Sequence, residues 1–235
     1  MDFTSIKAIT IPQGNVTQIA VGSTVFWKSG PLPSAYQQVE WIENSTPTSS
    51  SSGAYLDLGF AFDTAATIYL NFTSEQLSTQ PFGAAESSGK YRCMVSMSSG
   101  AAIAYGSDGS KYLSTSTTGG TITGKEINLE YILKKGTIAI RDTISGVQAT
   151  TGVTQTVYTM TRNLYLFAQN YNTAARFAGT FKWKSFKYYD KNNVLICDLI
   201  PCYRKSDGVV GMYDIVRKIF LTNAGSGSFT KGTNV

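Results

Sequence analysis

The sequence of 235 residues contains no histidine, and only 15% of its residues are charged. Without an imidazole, the Ser–His–Asp and Cys–His nucleophile systems and zinc sites with histidine ligands are excluded. No apolar run approaches the ~18 residues that a membrane span requires. These absences remove much of common hydrolytic chemistry and predict a chain that does not insert into a membrane.

Cysteine is also scarce, since only Cys93, Cys197 and Cys202 are present and three thiols cannot all pair within one chain. The odd spacing of Cys197 and Cys202 places them on opposite faces of a regular strand. We therefore interpret the cysteines as small buried apolar groups in a reducing compartment. The first residues lack the basic start and apolar stretch of a secretory signal, so we expect synthesis in a cytoplasm.

Charge is distributed unevenly along the chain. Residues 1–150 carry 9 basic and 11 acidic side chains, whereas residues 151–235 carry 11 basic and 4 acidic ones. A basic segment can indicate a nucleic-acid surface, but no nucleic-acid motif accompanies it. A solvated strand face is the preferred interpretation, and no nucleic-acid partner is expected.

What the sequence does contain is typical of β-structure: 42% hydrophobic residues, 22 glycines and many Ser, Thr and Asn residues. TIYLNFT (67–73) alternates apolar and polar residues, and EINLEYILKKG (126–136) does the same before a hairpin turn at Lys135-Gly136. Within residues 181–189 the aromatic residues change parity, which predicts a bulge near Ser185. Residues 44–53 and 106–124 are predicted to be surface loops.

The segment Gly30-Pro31-Leu32-Pro33 divides the chain into two parts, because proline cannot join the hydrogen-bond ladder of a sheet. Residues 1–29 are predicted to form a small three-stranded β module, residues 30–33 a linker, and residues 34–235 one domain. The predicted fold class is all-β: an antiparallel two-sheet sandwich preceded by the small module.

Catalysis by two carboxylates is the most testable enzymatic hypothesis for such a sandwich. The best acidic pair on one strand face, Glu126 and Glu130, lies about 13 Å apart, beyond the roughly 5–9.5 Å that glycoside hydrolysis uses. Asp108 alone cannot supply the oxygens of a calcium site. No catalytic residue, metal or cofactor is expected, although carboxylates from different strands could still meet.

With catalysis unsupported, binding of sugars is the function left to consider. Aromatic faces stack on sugar rings, and amides or guanidinium groups form hydrogen bonds with sugar hydroxyls. Aromatic residues beside amides are therefore the candidates. The predicted carbohydrate-binding residues are Tyr105, Tyr112, Asn170, Tyr171, Asn172 and Arg176. Their alternative role is to cap the ends of the sandwich.

Two blocks of the sequence carry a family resemblance: LPSAYQQVEWIENSTPTSSSSGAYLDLGF (32–60), and residues 177–229 with IPCYRKSDGVVGMYD and a following TNAG. They resemble the concanavalin A-like, laminin G-like sandwich domains of bacteriophage and prophage structural proteins. IPQGNVTQIAVGSTVFWK also resembles the N-terminal modules of phage tail-type proteins. The resemblance implies a jelly-roll sandwich on a virion, carried by a fibre, adhesin or decoration protein that is often trimeric and can have affinity for cell-surface glycans.

The IPCYRKSDGVVGMYD block itself is interpreted as structural. Ser206-Asp207-Gly208 predicts a turn. Arg217-Lys218 stands where relatives often have Asn-Gly or Ser-Gly, so that hairpin should be wider than a tight two-residue turn or differently bulged. The residues expected to supply core are Ile200, Tyr203, Val210, Met212 and Tyr213.

The resulting expectation is a non-enzymatic virion protein, assembled in a bacterial cytoplasm. Residues 1–29 would attach it to other virion proteins or to sister subunits, and the sandwich would bind host-surface glycans through the avidity of several weak contacts. A trimer is the favoured oligomer. The alternatives are a glycan-degrading enzyme of the concanavalin A-like class and a purely architectural capsid or tail protein without a ligand.

Overall fold

A computed structural model describes residues 18–21, 24–28, 32–44, 53–76, 78–86, 91–98, 101–107, 112–116, 124–152 and 159–235. Within these ranges the regular structure is entirely β, with no α-helix. Accordingly, none of the described residues belongs to a helix long and apolar enough to cross a membrane.

The strands are short and are joined mostly by tight turns. In chain order they are β1 (Gln18–Val21), β2 (Thr24–Lys28), β3 (Tyr36–Gln38), β4 (Ile42–Asn44), β5 (Leu56–Ala61), β6 (Ala66–Ser74), β7 (Thr79–Ala85), β8 (Arg92–Ser98), β9 (Ala101–Ser107), β10 (Tyr112–Ser116), β11 (Glu126–Lys134), β12 (Thr137–Asp142), β13 (Gln148–Thr151), β14 (Asn163–Leu166), β15 (Gln169–Tyr171), β16 (Ala174–Arg176), β17 (Phe181–Tyr189), β18 (Leu195–Arg204), β19 (Val210–Asp214), β20 (Ile219–Thr222) and β21 (Phe229–Lys231).

Two sheets pack against each other. The small sheet has the order β10-β9-β8-β7-β14-β5, and β15 joins it by pairing with β7 and β16. The large sheet has the order β13-β12-β11-β6-β17-β18-β19-β20, with β3, β4 and β21 attached at its side. All pairings except that of β15 with β7 are antiparallel. The predicted all-β, two-sheet sandwich is confirmed.

The N-terminal region is described in part. β1 and β2 form a separate two-stranded antiparallel sheet. The first strand predicted for residues 1–29 lies outside the described residues. The division into module, linker and sandwich stays a prediction.

The core lies between the sheets and follows the alternation read from the sequence. In β6, Ile68, Leu70 and Phe72 are buried while the residues between them are more exposed. β11 repeats the pattern in register with β6, so both strands present one apolar face inward. The hairpin predicted at Lys135-Gly136 joins β11 to β12.

Aromatic side chains fill the centre of the sandwich. The ring of Trp183 lies 4.9 Å from that of Phe72, between centroids, within the large sheet. Phe186 of the same sheet meets Phe82 of the small sheet at 5.4 Å. Large buried aromatic residues contribute much of the burial that holds two sheets together.

The bulge predicted near Ser185 is confirmed. The register of β17 against β6 shifts between Trp183 and Ser185, so Lys184 is the extra residue. Because of this shift, Trp183 and Phe186 both point into the core although their positions differ by three, an odd number.

Two loop predictions are wrong in part. Within the predicted loop 106–124, Gly106 and Ser107 belong to β9, and Tyr112–Ser116 is a strand whose backbone pairs with β9. A Ser/Thr-rich composition is typical of loops. Here the backbone N–H and C=O groups of β10 instead form hydrogen bonds with the neighbouring strand β9. In the predicted loop 44–53, Asn44 is a buried strand residue, while residues 45–52 lie outside the described part of the chain.

The predicted core contribution of the IPCYRKSDGVVGMYD block is also corrected. Met212 alone of the five residues belongs to the central core, and Tyr203 and Val210 pack partly against it. Ile200 pairs with Tyr213 on the other side of these strands, where Tyr213 packs on Tyr36 at 4.9 Å. The reason is parity, since Ile200 and Tyr203 point to opposite faces of one strand.

The three cysteines are buried and unpaired, as predicted. Burial raises the pKa of the Cys93 thiol to about 12 and that of Cys202 to about 12. Thiols of such high pKa remain protonated near neutral pH and pack as apolar groups.

The hairpin at Arg217-Lys218 is wide, as predicted, and it also links the two sheets. Asp214 pairs with Ile219, so four residues form the turn. The buried Asp214 carboxylate accepts hydrogen bonds from the Arg217 side chain (2.5 Å) and from the backbone N–H groups of Val216 and Arg217. Arg217 also donates to the carbonyl of Leu58 in the small sheet at 2.6 Å.

A second polar link crosses the core. The buried Tyr131 of the large sheet donates its hydroxyl to the carbonyl of Tyr105 in the small sheet at 2.7 Å. Its neighbours on the inward face of β11, Leu129 and Leu133, are apolar, so this bond fixes one position of one sheet relative to the other.

Replacing Tyr131 by Phe should destabilise the protein by about 1–2 kcal/mol, because the Tyr105 carbonyl loses its buried donor. Urea unfolding measures the change. Tyr69→Phe is the matched control, because the exposed Tyr69 hydroxyl bonds to Glu130 at the surface. Equal losses in the two variants would contradict a special role for the link between the sheets.

Asp214→Asn should cost about 3 kcal/mol at pH 7, because it breaks a buried ion pair. Burial alone would raise the pKa of Asp214, but hydrogen bonds from Arg217 and backbone amides hold it below the ordinary value. The stabilisation is therefore complete above the unfolded-state pKa of about 4 and is lost as pH falls through the folded-state value.

Urea unfolding at a series of pH values checks this dependence. The difference between wild type and Asp214→Asn should shrink as pH falls below about 4. Asp207→Asn is the control, because Asp207 also bonds to an arginine but lies exposed in a turn, and its effect should be much smaller. A difference for Asp214→Asn that is constant with pH would show that the carboxylate charge is not the stabilising feature.

Candidate functional site

The residues predicted to bind carbohydrate all lie on strands or turns of the small sheet. They come from two segments separated by more than fifty residues of sequence. Tyr105 lies on β9, Tyr112 on β10, Asn170 and Tyr171 on β15, Asn172 in the turn after β15, and Arg176 on β16.

The sheet register brings Tyr105 and Tyr171 to one face. Tyr171 pairs with Ala85, and Ala85 pairs with Arg92 on the next strand. Tyr105 pairs with Met94, which shares the face of Arg92. The alternate residues, such as Cys93, point into the core, so this face points away from the core. Ala85 and Met94 on it are themselves buried.

Two arginine–tyrosine pairs occupy this outer face. The Arg92 guanidinium carbon lies 5.8 Å from the centre of the Tyr105 ring, and that of Arg176 lies 5.1 Å from the centre of the Tyr171 ring. Both distances are within the range of cation–π attraction. We call Arg92, Tyr105, Tyr171 and Arg176 the arginine–tyrosine face.

Strand spacing sets the width of this face. Tyr171 and Arg92 are two strands apart, which corresponds to about 10 Å between their backbones. Tyr105, Tyr171 and Arg92 are half-buried, and Arg176 is exposed. The face therefore presents aromatic rings and guanidinium groups at a spacing that an extended ligand can bridge.

Asn170 and Asn172 shape the hairpin that carries Tyr171 and Arg176. The buried Asn170 side chain donates to the carbonyl of Asn163 at 2.9 Å and accepts from the N–H of Thr173 at 3.0 Å. Asn172 and Thr173 form the two-residue turn, with φ values of +50° and +73°. Positive φ at both central residues matches the right-handed twist of a hairpin, and asparagine tolerates it well.

Further hydrogen bonds anchor this hairpin to the segments that flank β14 and β7. Arg162 donates to the side-chain oxygen of Asn172 at 3.2 Å and forms an ion pair with Glu86 at 3.4 Å. Glu86 also accepts hydrogen bonds from the backbone and hydroxyl of Thr161. The position of Tyr171 is thus held by a connected polar network.

Tyr112 lies on β10 opposite Ser107, and its side chain lies outside the described part of the structure. Whether any of the six predicted residues contacts a sugar stays a prediction. Arg92 is the residue that sequence reasoning missed. Its signal was the alternation of β8, where buried Cys93, Val95 and Met97 require Arg92 to face outward.

Comparison with known proteins gives no sequence match, either among protein-family models or among curated proteins. Solved structures do show similarity. The LG4-5 domains of the mouse laminin α1 chain align with a TM-score of 0.54 at 12% identity, covering 82% of this chain and 46% of that one.

Two further structures align less well. The LG1-3 region of the laminin α2 chain gives a TM-score of 0.41 at 13% identity, covering 88% of this chain and 37% of that one. Tailspike protein 2 of Escherichia coli O157:H7 bacteriophage CAB120 gives 0.35 at 11% identity, covering 68% of this chain and 27% of that one.

This chain therefore spans less than half the length of each of these structures. At such low identity, similarity to the laminin α1 domains concerns the fold alone. The fold of the described residues is that of a laminin G-like β-sandwich of the jelly-roll type.

Proposed function

We propose that this chain is a non-enzymatic structural protein of a bacteriophage virion, and that its sandwich binds host-surface glycans through the arginine–tyrosine face. The observation that carries the glycan part is the register, which aligns Tyr171, Arg92 and Tyr105 on one outer face. The phage part is supported by the sequence resemblance of residues 32–60 and 177–229 to phage sandwich domains.

The chemistry of this face suits sugars. Tyrosine rings stack on the apolar faces of sugar rings, and their hydroxyls exchange hydrogen bonds with sugar hydroxyls. A guanidinium group offers five donors in a fixed geometry. Single contacts of this kind are weak, so several copies on one particle would give adhesion by avidity.

The ion pair and the lowered pKa of Glu126, one of the best acidic pair Glu126 and Glu130, favour a binding role over a catalytic one. Glu126 is ion-paired with Lys184, and this contact is the main reason that its pKa lies below the ordinary value. A general acid of a glycosidase needs a raised pKa instead. Glu130 accepts a hydrogen bond from Tyr69 at 2.8 Å, on the same outer strand face.

In this proposal, residues 1–29 attach the protein to other virion proteins or to sister subunits, in a homo-oligomer for which a trimer is favoured. The sandwich then displays the arginine–tyrosine face outward. Localisation on an intact virion by electron microscopy would test the attachment, and its copy symmetry would test the trimer.

A glycan array probed with the purified oligomer tests the binding site. Wild type should bind a subset of host-type glycans, and Tyr171→Ala and Arg92→Gln should each weaken that binding by about tenfold or more. The loss is expected because each change removes one stacking or donor group from the face.

Tyr69→Ala is the matched control, because it removes a partly exposed tyrosine from the outer face of the opposite sheet. It should leave array binding unchanged. Binding that is insensitive to Tyr171→Ala and Arg92→Gln would overturn the assignment of the site. No binding to any glycan at millimolar sensitivity would favour the purely architectural alternative.

A further inference from the structure

A groove of about 530 Å³ lies on the outer face of the large sheet, on the side of the sandwich opposite the arginine–tyrosine face. Small-molecule sites typically measure about 300–1,000 Å³. Its lining comes from strands and turns widely separated in sequence: Glu40, Trp41, Thr73, Glu75, Gly124, Lys182 and Lys184.

The register of the sheet places a polar row along this groove. Glu43 on β4 pairs with Lys182 on β17, Lys182 with Thr73 on β6, and Thr73 with Glu126 on β11. Ile42, Trp183 and Phe72 on the same strands point into the core. The row therefore faces outward.

The β-bulge of β17 adds a second lysine to the groove. Because Lys184 is the extra residue of the bulge, it faces outward while Trp183 and Phe186 keep their places in the core. Bulges commonly redirect a side chain toward a site. Here the bulge brings the Lys184 ammonium group to the Glu126 carboxylate.

Ion pairs hold the donors and acceptors of the groove in fixed positions. The Lys182 ammonium lies 3.5 Å from a Glu75 oxygen and 3.9 Å from a Glu43 oxygen. Glu126 additionally accepts from the amides of Asn71 (3.1 Å) and Asn128 (3.3 Å). About a third or more of each side chain of Lys182, Lys184, Glu75 and Glu126 is still exposed, so a ligand can reach them.

An aromatic wall completes the groove. Trp41 is half-buried, and the Lys182 ammonium lies 5.5 Å from the centre of its ring. The edge of the indole rests against Gly232, where an added Cβ would come within 2.8 Å of Nε1. The indole can occupy its position because residue 232 is a glycine and has no Cβ.

We propose that this groove is a second binding site, for an uncharged saccharide. An indole ring stacks on sugar rings, and neighbouring ammonium and carboxylate groups can donate to and accept from sugar hydroxyls at once. Two carboxylates, Glu40 and Glu75, line the groove. With Glu43 and Glu126, which pair with the lysines, carboxylates outnumber the two ammonium groups, and this disfavours an anionic ligand. The inference rests on a different face from the proposed function and does not depend on it.

Titration of the 235-residue protein with maltotriose, cellotriose and chitotriose tests the proposal, with trigalacturonate as the anionic comparison. The readout is ¹⁹F NMR of protein labelled with 5-fluorotryptophan, in which Trp41→Phe assigns the Trp41 signal. At least one neutral trisaccharide should shift this signal below about 10 mM, and trigalacturonate should bind about tenfold or more weakly.

Variants separate the groove from the rest of the surface. The double variant Lys182→Gln/Lys184→Gln should weaken neutral trisaccharide binding by about tenfold or more, and Gly232→Ala should weaken it by displacing Trp41. Lys134→Gln, an exposed lysine at the other end of β11, should have no effect. Urea unfolding midpoints close to that of wild type show that the variants fold.

Three results would overturn the proposal: no shift of the Trp41 signal by any neutral trisaccharide, equal or tighter binding of trigalacturonate, or binding unchanged in the double lysine variant. Tyr171→Ala should leave groove binding intact. If it abolishes groove binding, the two faces are not separate sites. If the glycan array shows that the arginine–tyrosine face does not bind glycans, the expected result of this titration at the groove stays the same.

Discussion

The structure depends on the packing of two sheets that are each apolar on one face. Once Ile68, Leu70 and Phe72 face inward, the residues between them must face solvent, because side chains alternate along a strand. Both proposed sites are built from these outer positions. The core therefore determines which residues can meet a ligand, although it contributes none of them.

Apolar packing is not directional, and two polar contacts add a fixed alignment of the sheets. Tyr131 binds a backbone carbonyl of the small sheet, and Arg217 binds another near the edge. The Arg217 contact depends on Asp214, whose buried carboxylate also organises the turn before β20. This gives a structural reason for Asp214, the last residue of the IPCYRKSDGVVGMYD block.

The uneven charge of the sequence is balanced in three dimensions. Lys182 and Lys184 come from the basic C-terminal part of the chain, and they pair with Glu43, Glu75 and Glu126 from the acidic N-terminal part. The strand order places β17 between β6 and β4, so the two parts meet on one sheet. The basic segment thus forms a mixed-charge surface instead of a purely positive one.

Features set by neighbouring residues were predictable from the sequence. The alternation of β6 and β11, the bulge near Ser185 and the wide turn at Arg217 each follow from a few consecutive side chains. The pairing of β10 with β9 was missed, because composition alone does not show that a sheet edge is available. The alignment of Arg92 with Tyr171, and the meeting of Trp41 with Lys182, were decided only by the tertiary structure, because strand order and register join residues that are far apart in the chain.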